Sequence, residues 1–344
     1  MLNMRTSWTA AVVAAGFTLA LGAMPSAAQT PIKFTLDFVV QGPQAPFFLA
    51  QEKGYYAAEG LNVTAIDAGR GSSDTVNRVV SGAYDIGFGD INALIEFNAK
   101  NPGKEIPAVL MVYNQAPFSI ITLKNKGISK PADLVGKKAA APSFDTPFRL
   151  FPIFAKVNGF DATKVEWSNV APQLREPMLA RGETDAISGF SFTAILALKG
   201  LGVPEQNIQT FMYKDLGVDL YSNAVIASPT LLKDNPKAVQ GFVRATIRGI
   251  QDTIADPKAA IAAIKKRDPL LNEALELERL EMAIATSILT DEVKREGLGG
   301  VNVERLKQNI DLVSEGFGLD RKVPAEQVFT AQFLPPAAER MVKR

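Results

Sequence analysis

The chain has 344 residues, 47% of them hydrophobic, which is enough for two ordinary domains with buried cores. Lys plus Arg (37) and Asp plus Glu (36) nearly cancel, so no electrostatic footprint for nucleic acid or an anionic membrane exists. Cysteine and histidine are both absent, which excludes disulfides, thiolate metal sites and a cysteine nucleophile, and removes the commonest general base.

Residues 1–28 read as an export signal. Arg5 supplies the positive start, residues 8–24 are largely apolar and uncharged, and Ser26-Ala27-Ala28 supplies small side chains at the cleavage positions. Cleavage is expected before Gln29. With no cysteine to carry a lipid, the mature protein is expected free in a bacterial periplasm.

Residues 32–40 alternate and are rich in β-formers, a first strand broken by Gly42-Pro43 and Pro46. Residues 45–61 then give a short helix ended by Gly54 and a second ended by Gly60. A strand is expected over 61–66, a loop at Gly69-Arg70-Gly71-Ser72-Ser73, a helix over 74–81 stopped by Gly82, and a strand over 84–89. Helical spacing resumes over 91–99, and strands are expected over 107–113 and 118–123. Strands alternating with helices imply a mainly parallel sheet covered on both faces.

A second unit follows, with strands at 137–141 and 165–170 and helices at 148–158 and 172–181. It echoes the first. Gly82-Ala83-Tyr84-Asp85 followed by Gly89 matches Gly182-Glu183-Thr184-Asp185 followed by Gly189. Two similar α/β lobes facing each other suit a clamshell. A return strand is expected over 220–227, and the rest is helical, with Asn235-Pro236 and Asp256-Pro257 as cap signals. The expected division is 29–123 plus 224–344 for a discontinuous first lobe and 124–223 for the second, with hinge crossings near Leu123 and Tyr221.

In open parallel sheets ligands bind beyond the carboxyl ends of the strands. That rule selects Asp37, Gln41 and Phe47; Gly71, Ser72 and Ser73; Asp90; and Asn114 in the first lobe. In the second it selects Ser143, Asp145 and Thr146, and Gly189, Phe190 and Ser191, with Tyr221 on the return strand. Gly71-Ser72-Ser73 at a helix start can serve an accepting ligand group or act as a cap. Asp90 either caps the helix that starts at Ile91 or accepts from ligand N–H groups, capping being the commoner single role. Phe47, Phe190 and Tyr221 are candidates for stacking on a flat ligand, while a surface role is the safer reading of Arg70, Arg149 and Arg175. No P-loop, dinucleotide fingerprint, zincin motif or nucleophile elbow occurs, so no cofactor, metal or catalytic residue is assigned.

Several runs resemble one family in its own order. Ala45-Pro46-Phe47-Phe48-Leu49-Ala50-Gln51-Glu52-Lys53-Gly54-Tyr55-Tyr56 with Glu59-Gly60-Leu61 is similar to the hallmark of the sulfonate/taurine/thiamine-pyrimidine group of solute-binding proteins of ABC importers. Val80-Ser81-Gly82-Ala83-Tyr84-Asp85-Ile86-Gly87, Asp133-Leu134-Val135-Gly136-Lys137 and Gly182-Glu183-Thr184-Asp185-Ala186 add to it. The resemblance implies an α/β type II periplasmic-binding-protein fold that closes on a small molecule. A permease in the inner membrane would then read the closed form. A monomer that binds no nucleic acid is expected. Leu36-Asp37-Phe38 looks most like the pyrimidine-precursor branch, and Asp90 suits a nitrogen heterocycle better than a sulfonate, nitrate or other small organic anion. The loop Val39-Val40-Gln41-Gly42-Pro43-Gln44 departs from that branch by lacking its Asn-His character. Relatives that synthesise the thiamine pyrimidine use an active-site histidine and desulfinase relatives a cysteine. This chain has neither, so an enzyme is not expected.

Overall fold

The computed structural model describes residues 29–342, so the expected signal segment lies outside the described residues. The first half runs β1 (Thr30–Thr35), a 3-10 turn (Gly42–Gln44), α1 (Ala45–Glu52), α2 (Tyr55–Ala58), β2 (Leu61–Asp67), α3 (Ser72–Val80), β3 (Ile86–Asp90), α4 (Ile91–Lys100) and β4 (Ala108–Met111). The second half runs β5 (Phe118–Leu123), β6 (Lys138–Ala141), α5 (Thr146–Arg149), α6 (Phe151–Val157), β7 (Glu166–Asn169), α7 (Pro172–Ala180), β8 (Ala186–Phe190), α8 (Ser191–Gly200) and β9 (Ile208–Met212). The chain returns as β10 (Asn223–Ala227). It continues through α9 (Pro229–Asp234), α10 (Pro236–Ala255), α11 (Pro257–Lys265), α12 (Glu273–Ala283), α13 (Asp291–Glu296), α14 (Val303–Gly316) and α15 (Ala337–Arg340).

The strands form two sheets of matching design, β2-β1-β3-β10-β4 and β7-β6-β8-β5-β9. In each, three parallel strands are followed by one antiparallel strand: β10 runs against β3 and β4, and β5 against β8 and β9. Four of the five strands in each sheet thus run the same way, the mainly parallel sheet expected from the sequence, with one strand reversed. The antiparallel strand of each sheet is the one that enters directly from the other half. It needs no helical crossover and can run the opposite way.

The pairing also moves the first crossing. β5, expected to end the first lobe at Leu123, belongs to the second sheet, where Phe118 pairs with Phe190. The chain therefore leaves the first sheet between Met111 and Phe118 and comes back between Met212 and Asn223.

The echo has a clear physical basis. Gly82 and Gly182 take positive φ, 76° and 79°, ending α3 and α7 in the left-handed region where a side chain is disfavoured. The aspartate three residues later then locks the adjacent strand from both sides. Asp85 N–H donates to Lys33 O at 2.9 Å while its Oδ2 accepts from Lys33 N–H at 2.8 Å. Asp185 does the same with Lys138, at 2.8 and 3.1 Å. β3 and β8, which follow, hold equivalent central places.

Three other expectations shift for local reasons. β1 stops at Thr35 because the chain turns, with Gly69 and Gly71 N–H donating to Phe38 O and Asp37 O. The expected helix over 148–158 is split into α5 and α6 by Pro152, which has no N–H to continue the ladder. The helix expected over 273–287 ends at Ala283 and passes into a π-turn, Ile284–Ile288. The caps at Asn235 and Asp256 are present, each side chain accepting from the N–H of the third residue on.

The core of the first sheet is aromatic. Phe34 packs on Phe47 (ring centroids 5.0 Å) and Phe242 (5.3 Å), bringing α1 and α10 onto one face. A second buried cluster runs from Val76, Leu94 and Ile95 through Phe118 and Phe154 to Ile310, joining the two sheets. Among the described residues no helix is long and apolar enough to cross a membrane.

Candidate functional site

Where the strand tips of the two sheets face each other lies a cleft with a cavity volume of about 80 Å³. The first sheet contributes Asp37, Phe38, Gln41, Gln44, Gly71, Ser72 and Tyr113. The second contributes Pro142, Phe144, Asp145, Thr146, Pro172, Arg175, Phe190, Phe192 and Thr193.

The sharpest group is Asp37, in the turn that ends β1 and only 7% exposed. Its Oδ2 accepts from Asn223 Nδ2 at 2.7 Å, whereas its Oδ1 has no hydrogen-bond partner among the described residues. Burial pushes its carboxyl up to about 6, against the opposing pull of the Asn223 amide first, then of backbone N–H groups and the Gln44 amide nearby. Tyr113, 1% exposed, stands edge-on to Phe88 and Phe192, and its hydroxyl is also without a partner. Burial first, and the Asp37 charge second, hold that phenol well above its ordinary range, so it keeps its proton.

The facing wall is charged but internally paired. Arg175 is buried and closes two bonds on Glu176, at 2.9 and 2.6 Å, with Asp145 at 3.7 Å. Burial opposes its charge, and Glu176 and Asp145 more than offset that. Asp145 Oδ2 accepts from Ser188 Oγ at 2.6 Å. Burial pushes this carboxyl up despite Arg175. The charged groups lining the cleft are thus two carboxylates, Asp37 and Asp145, and one guanidinium that is already paired with Glu176.

The two walls touch. The ring of Phe144 lies where a Cβ on Gly71 would stand, 2.9 Å from it, and Gly71 has φ +117°. Thr193 Oγ1 donates to Gln41 Oε1 at 3.4 Å. On the flank, Arg149 closes a bidentate pair on Glu96 at 2.5 and 2.7 Å.

The structure thus gathers Asp37, Gln41, Gly71, Ser72, Asp145, Thr146 and Phe190 at the cleft. The other expected residues do not line it. Phe47 is 1% exposed because its position on α1 turns it into the core between Phe34 and Phe88. Ser73 sits inside the first turn of α3. Asp90 is fully buried behind the cleft and caps α4, its Oδ1 accepting from Asn92 N–H at 2.9 Å. Burial pushes its carboxyl up to about 7, with Asn92 and the Thr146 hydroxyl pulling the other way. Ser143 is exposed, its N–H bound to Asn169 Oδ1. Gly189 packs under the Arg175 guanidinium, and Ser191 N–H donates to Pro117 O.

Asn114 and Tyr221 belong to a different assembly. Both donate to Glu292 Oε1, at 3.0 and 2.8 Å, and Arg305 stacks 4.1 Å over the Tyr221 ring. They anchor the C-terminal helices to the crossing segments. Phe38, Gln44, Tyr113, Pro142, Pro172, Arg175, Phe192 and Thr193 join the cleft beyond the residues the strand-end rule selects, and Phe144 enters it with the selected loop 143–146. Arg175 and Arg149 are ion-paired rather than free on the surface. Phe144 had a usable signal, an aromatic inside a polar turn; Arg175 and Thr193 lie within helices that carry no local mark. Among the described residues no cluster fit to hold a metal occurs.

A family model described as NMT1/THI5 like matches residues 42–260. The riboflavin-binding protein RibY of Chloroflexus aurantiacus is 23% identical, over 91% of this chain and 91% of its own. The formylaminopyrimidine-binding protein of Halalkalibacterium halodurans is 22% identical over 87% and 89%. A 4-amino-5-hydroxymethyl-2-methylpyrimidine phosphate synthase of Legionella pneumophila is 23% identical over 73% and 78%. Among solved structures, the periplasmic aliphatic sulphonate binding protein SsuA of Escherichia coli superposes with a TM-score of 0.68 at 16% identity, over 87% of this chain and 92% of that one. The periplasmic nitrate-binding protein NrtA of Synechocystis PCC 6803 gives 0.65 at 15%, over 90% and 89%. At these identities the structural likeness establishes the periplasmic-binding-protein fold.

Proposed function

The chain belongs to the NMT1/THI5-like family, and from that premise we propose that it captures a small aromatic nitrogen heterocycle, pyrimidine-like, for import by an ABC permease. The observation that carries this reading is the cleft itself. Aromatic side chains from both sheets, Phe38, Tyr113, Phe190 and Phe192, line it beside a buried carboxylate oxygen that has no partner among the described residues. Flat apolar faces stack on such walls, and ring N–H or amino groups satisfy such an oxygen. Riboflavin and formylaminopyrimidine, bound by the named relatives, are both heterocycles of this kind.

Two lobes closing on the ligand supply contacts from both sides, and differential affinity for the closed state drives closure. The first lobe would hold the chain up to the crossing at 112–117 and again from β10, and the second lobe the stretch between. The mature protein would begin at Gln29 and work as a periplasmic monomer.

The organic-anion reading is the weaker one, because Arg175 is already paired and Asp37 and Asp145 face the space an anion would occupy. A pyrimidine synthase is weaker still. The chain has no histidine, the active-site residue that the family resemblance gives the synthases.

A thermal-shift screen of the mature protein against pyrimidines, flavins, alkanesulfonates, nitrate and aromatic acids tests the reading. A ligand at about a hundred times its Kd adds about 2.7 kcal/mol to the folded state. Stabilisation by a heterocycle supports the proposal; stabilisation by sulfonate or nitrate alone, or turnover of a pyrimidine precursor, defeats it.

A further inference from the structure

We propose that Asp37 and Tyr113 together read one edge of the ligand, an N–H donor placed beside an sp2 acceptor. This rests on the reading of the cleft as a heterocycle site and adds which edge of the ring enters first and which residues select it.

Among the described residues, two buried polar atoms on the first-sheet side of the cleft lack hydrogen-bond partners, Asp37 Oδ1 and the Tyr113 hydroxyl. An unmet buried polar group costs about 1–3 kcal/mol, so a pair of them in one cavity wall marks a place completed by something else. Their chemistry is complementary rather than redundant. The Asp37 carboxylate only accepts, and its second oxygen is taken by Asn223. The Tyr113 phenol keeps its proton, so it has one to donate. Neither is bonded to the other.

A single ring edge that meets both must offer a donor to Asp37 and, next to it, an acceptor to Tyr113. An aminopyrimidine offers this through its exocyclic amine and the neighbouring ring nitrogen. An isoalloxazine or uracil-type imide offers it through a ring N–H and the neighbouring carbonyl. A sulfonate or nitrate offers acceptors only and would leave Asp37 facing its oxygens. A site built to hydrogen-bond a given donor discriminates strongly against the analogue lacking it, because the buried group is then stranded.

The test uses two probe pairs that differ only in that donor, measured by isothermal titration at pH 7.5. One pair is 4-amino-2-methylpyrimidine and its 4-dimethylamino analogue; the other is riboflavin and N3-methylriboflavin. The parent protein is expected to prefer the N–H member of at least one pair by tenfold or more, and the responding pair tells which source of the edge is used. Tyr113→Phe is expected to lose about tenfold in affinity for that N–H probe while melting, without ligand, at the parent temperature or above, since the hydroxyl it removes has no partner. Asp37→Asn is expected to lose most of the preference for N–H over N-methyl. Equal affinity within the pair that binds, or an unchanged affinity in Tyr113→Phe, overturns the edge reading and leaves the heterocycle site standing. Binding of taurine or nitrate with no binding by any of the four heterocycles overturns both.

Discussion

Asp37 and Asn223 are joined across the first sheet by a bond of 2.7 Å from the Asn223 amide to Asp37 Oδ2. Asn223 is the first residue of β10, the strand that brings the chain back from the second sheet, and Asp37 opens the turn after β1. One hydrogen bond therefore ties the return crossing to the most reactive-looking carboxylate of the cleft. It is the largest of the influences holding that carboxyl down against burial. Asn223→Ala should raise the Asp37 carboxyl further and leave its second oxygen bare. The expected cost is about 1–3 kcal/mol of stability, with the acid limb of ligand binding moved to higher pH. Chemical denaturation and binding measured from pH 5 to 8 check this; an acid limb at the parent position contradicts it.

The ligand-free protein should lose stability as pH rises from 5 to 8. Asp37 and Asp90 are raised by burial to about 6 and about 7 from an ordinary 3.8, with Asn223, Asn92 and Thr146 opposing and Asp37 adding to the rise at Asp90. Between the unfolded and folded values the native state holds more protons than the unfolded chain. Their stabilising contribution is therefore complete below about 3.8 and is lost as pH climbs through 6 and 7. Asp145 acts in the same sense. Carboxylates held low, such as Glu96 and Asp252, act below this window, and no histidine titrates within it. A decline on the order of 1–3 kcal/mol is expected in thermal melts, and Asp90→Asn should flatten it. A flat or rising profile in the parent would count against the burial of these groups.

How much of this was legible in the chain depends on the range of the interaction. Gly82 with Asp85 and Gly182 with Asp185 act within one turn and on the neighbouring strand, so the paired architecture was visible as a repeated pattern. Asp37, Gly71 and Asp145 lie in loops that follow strands and Phe190 ends one, and strand ends can be found from local sequence. Phe47 follows a strand too, but the helix it starts turns its ring inward, a matter of helical phase rather than position. Tyr113, Arg175, Phe192 and Thr193 reach the cleft because two lobes meet there. That is a long-range outcome, as is the membership of β5 in the second sheet. Asp90 shows the limit from the other side, since its cap was readable but its depth behind the cleft was not.

Gly71 sets how closely the lobes approach. Its φ of +117° disfavours any side chain, and an added Cβ would stand 2.9 Å from the Phe144 ring. Gly71→Ala is expected to lower stability by about 1 kcal/mol through the backbone and to weaken ligand binding more than that through displacement of Phe144. Adding Phe144→Ala removes the collision, so the double variant should recover part of what Gly71→Ala costs in affinity beyond the effect of Phe144→Ala alone. Strict additivity of the two changes would show that the approach of these residues has no part in binding.

Arg149 and Glu96 form the bridge best placed to hold the cleft shut from outside. Arg149 lies on α5 of the second sheet and Glu96 on α4 of the first, and the guanidinium also stacks 4.0 Å over Phe317 at the end of α14. Neither residue lines the cleft, so their removal leaves the ligand contacts intact. Burial raises the Glu96 carboxyl, and Arg149 and Lys100 outweigh it, leaving the group below its ordinary value. The stabilisation it contributes is present above about 4.5 and disappears as pH falls through the lower folded value. Because both side chains keep some contact with water, the pair is worth on the order of 1 kcal/mol rather than the full energy of a buried one. Arg149→Ala should release that amount from the closed state alone, if closure is what brings the two helices together. Free protein would then shift toward an open form, the radius of gyration in solution scattering would rise, and ligand affinity would fall about fivefold with the cleft residues unchanged. Glu96→Gln should give a smaller shift in the same direction, since it keeps one acceptor for the guanidinium. An unchanged scattering curve together with parental affinity in Arg149→Ala would mean that the bridge forms equally in open and closed states and does not govern the cleft.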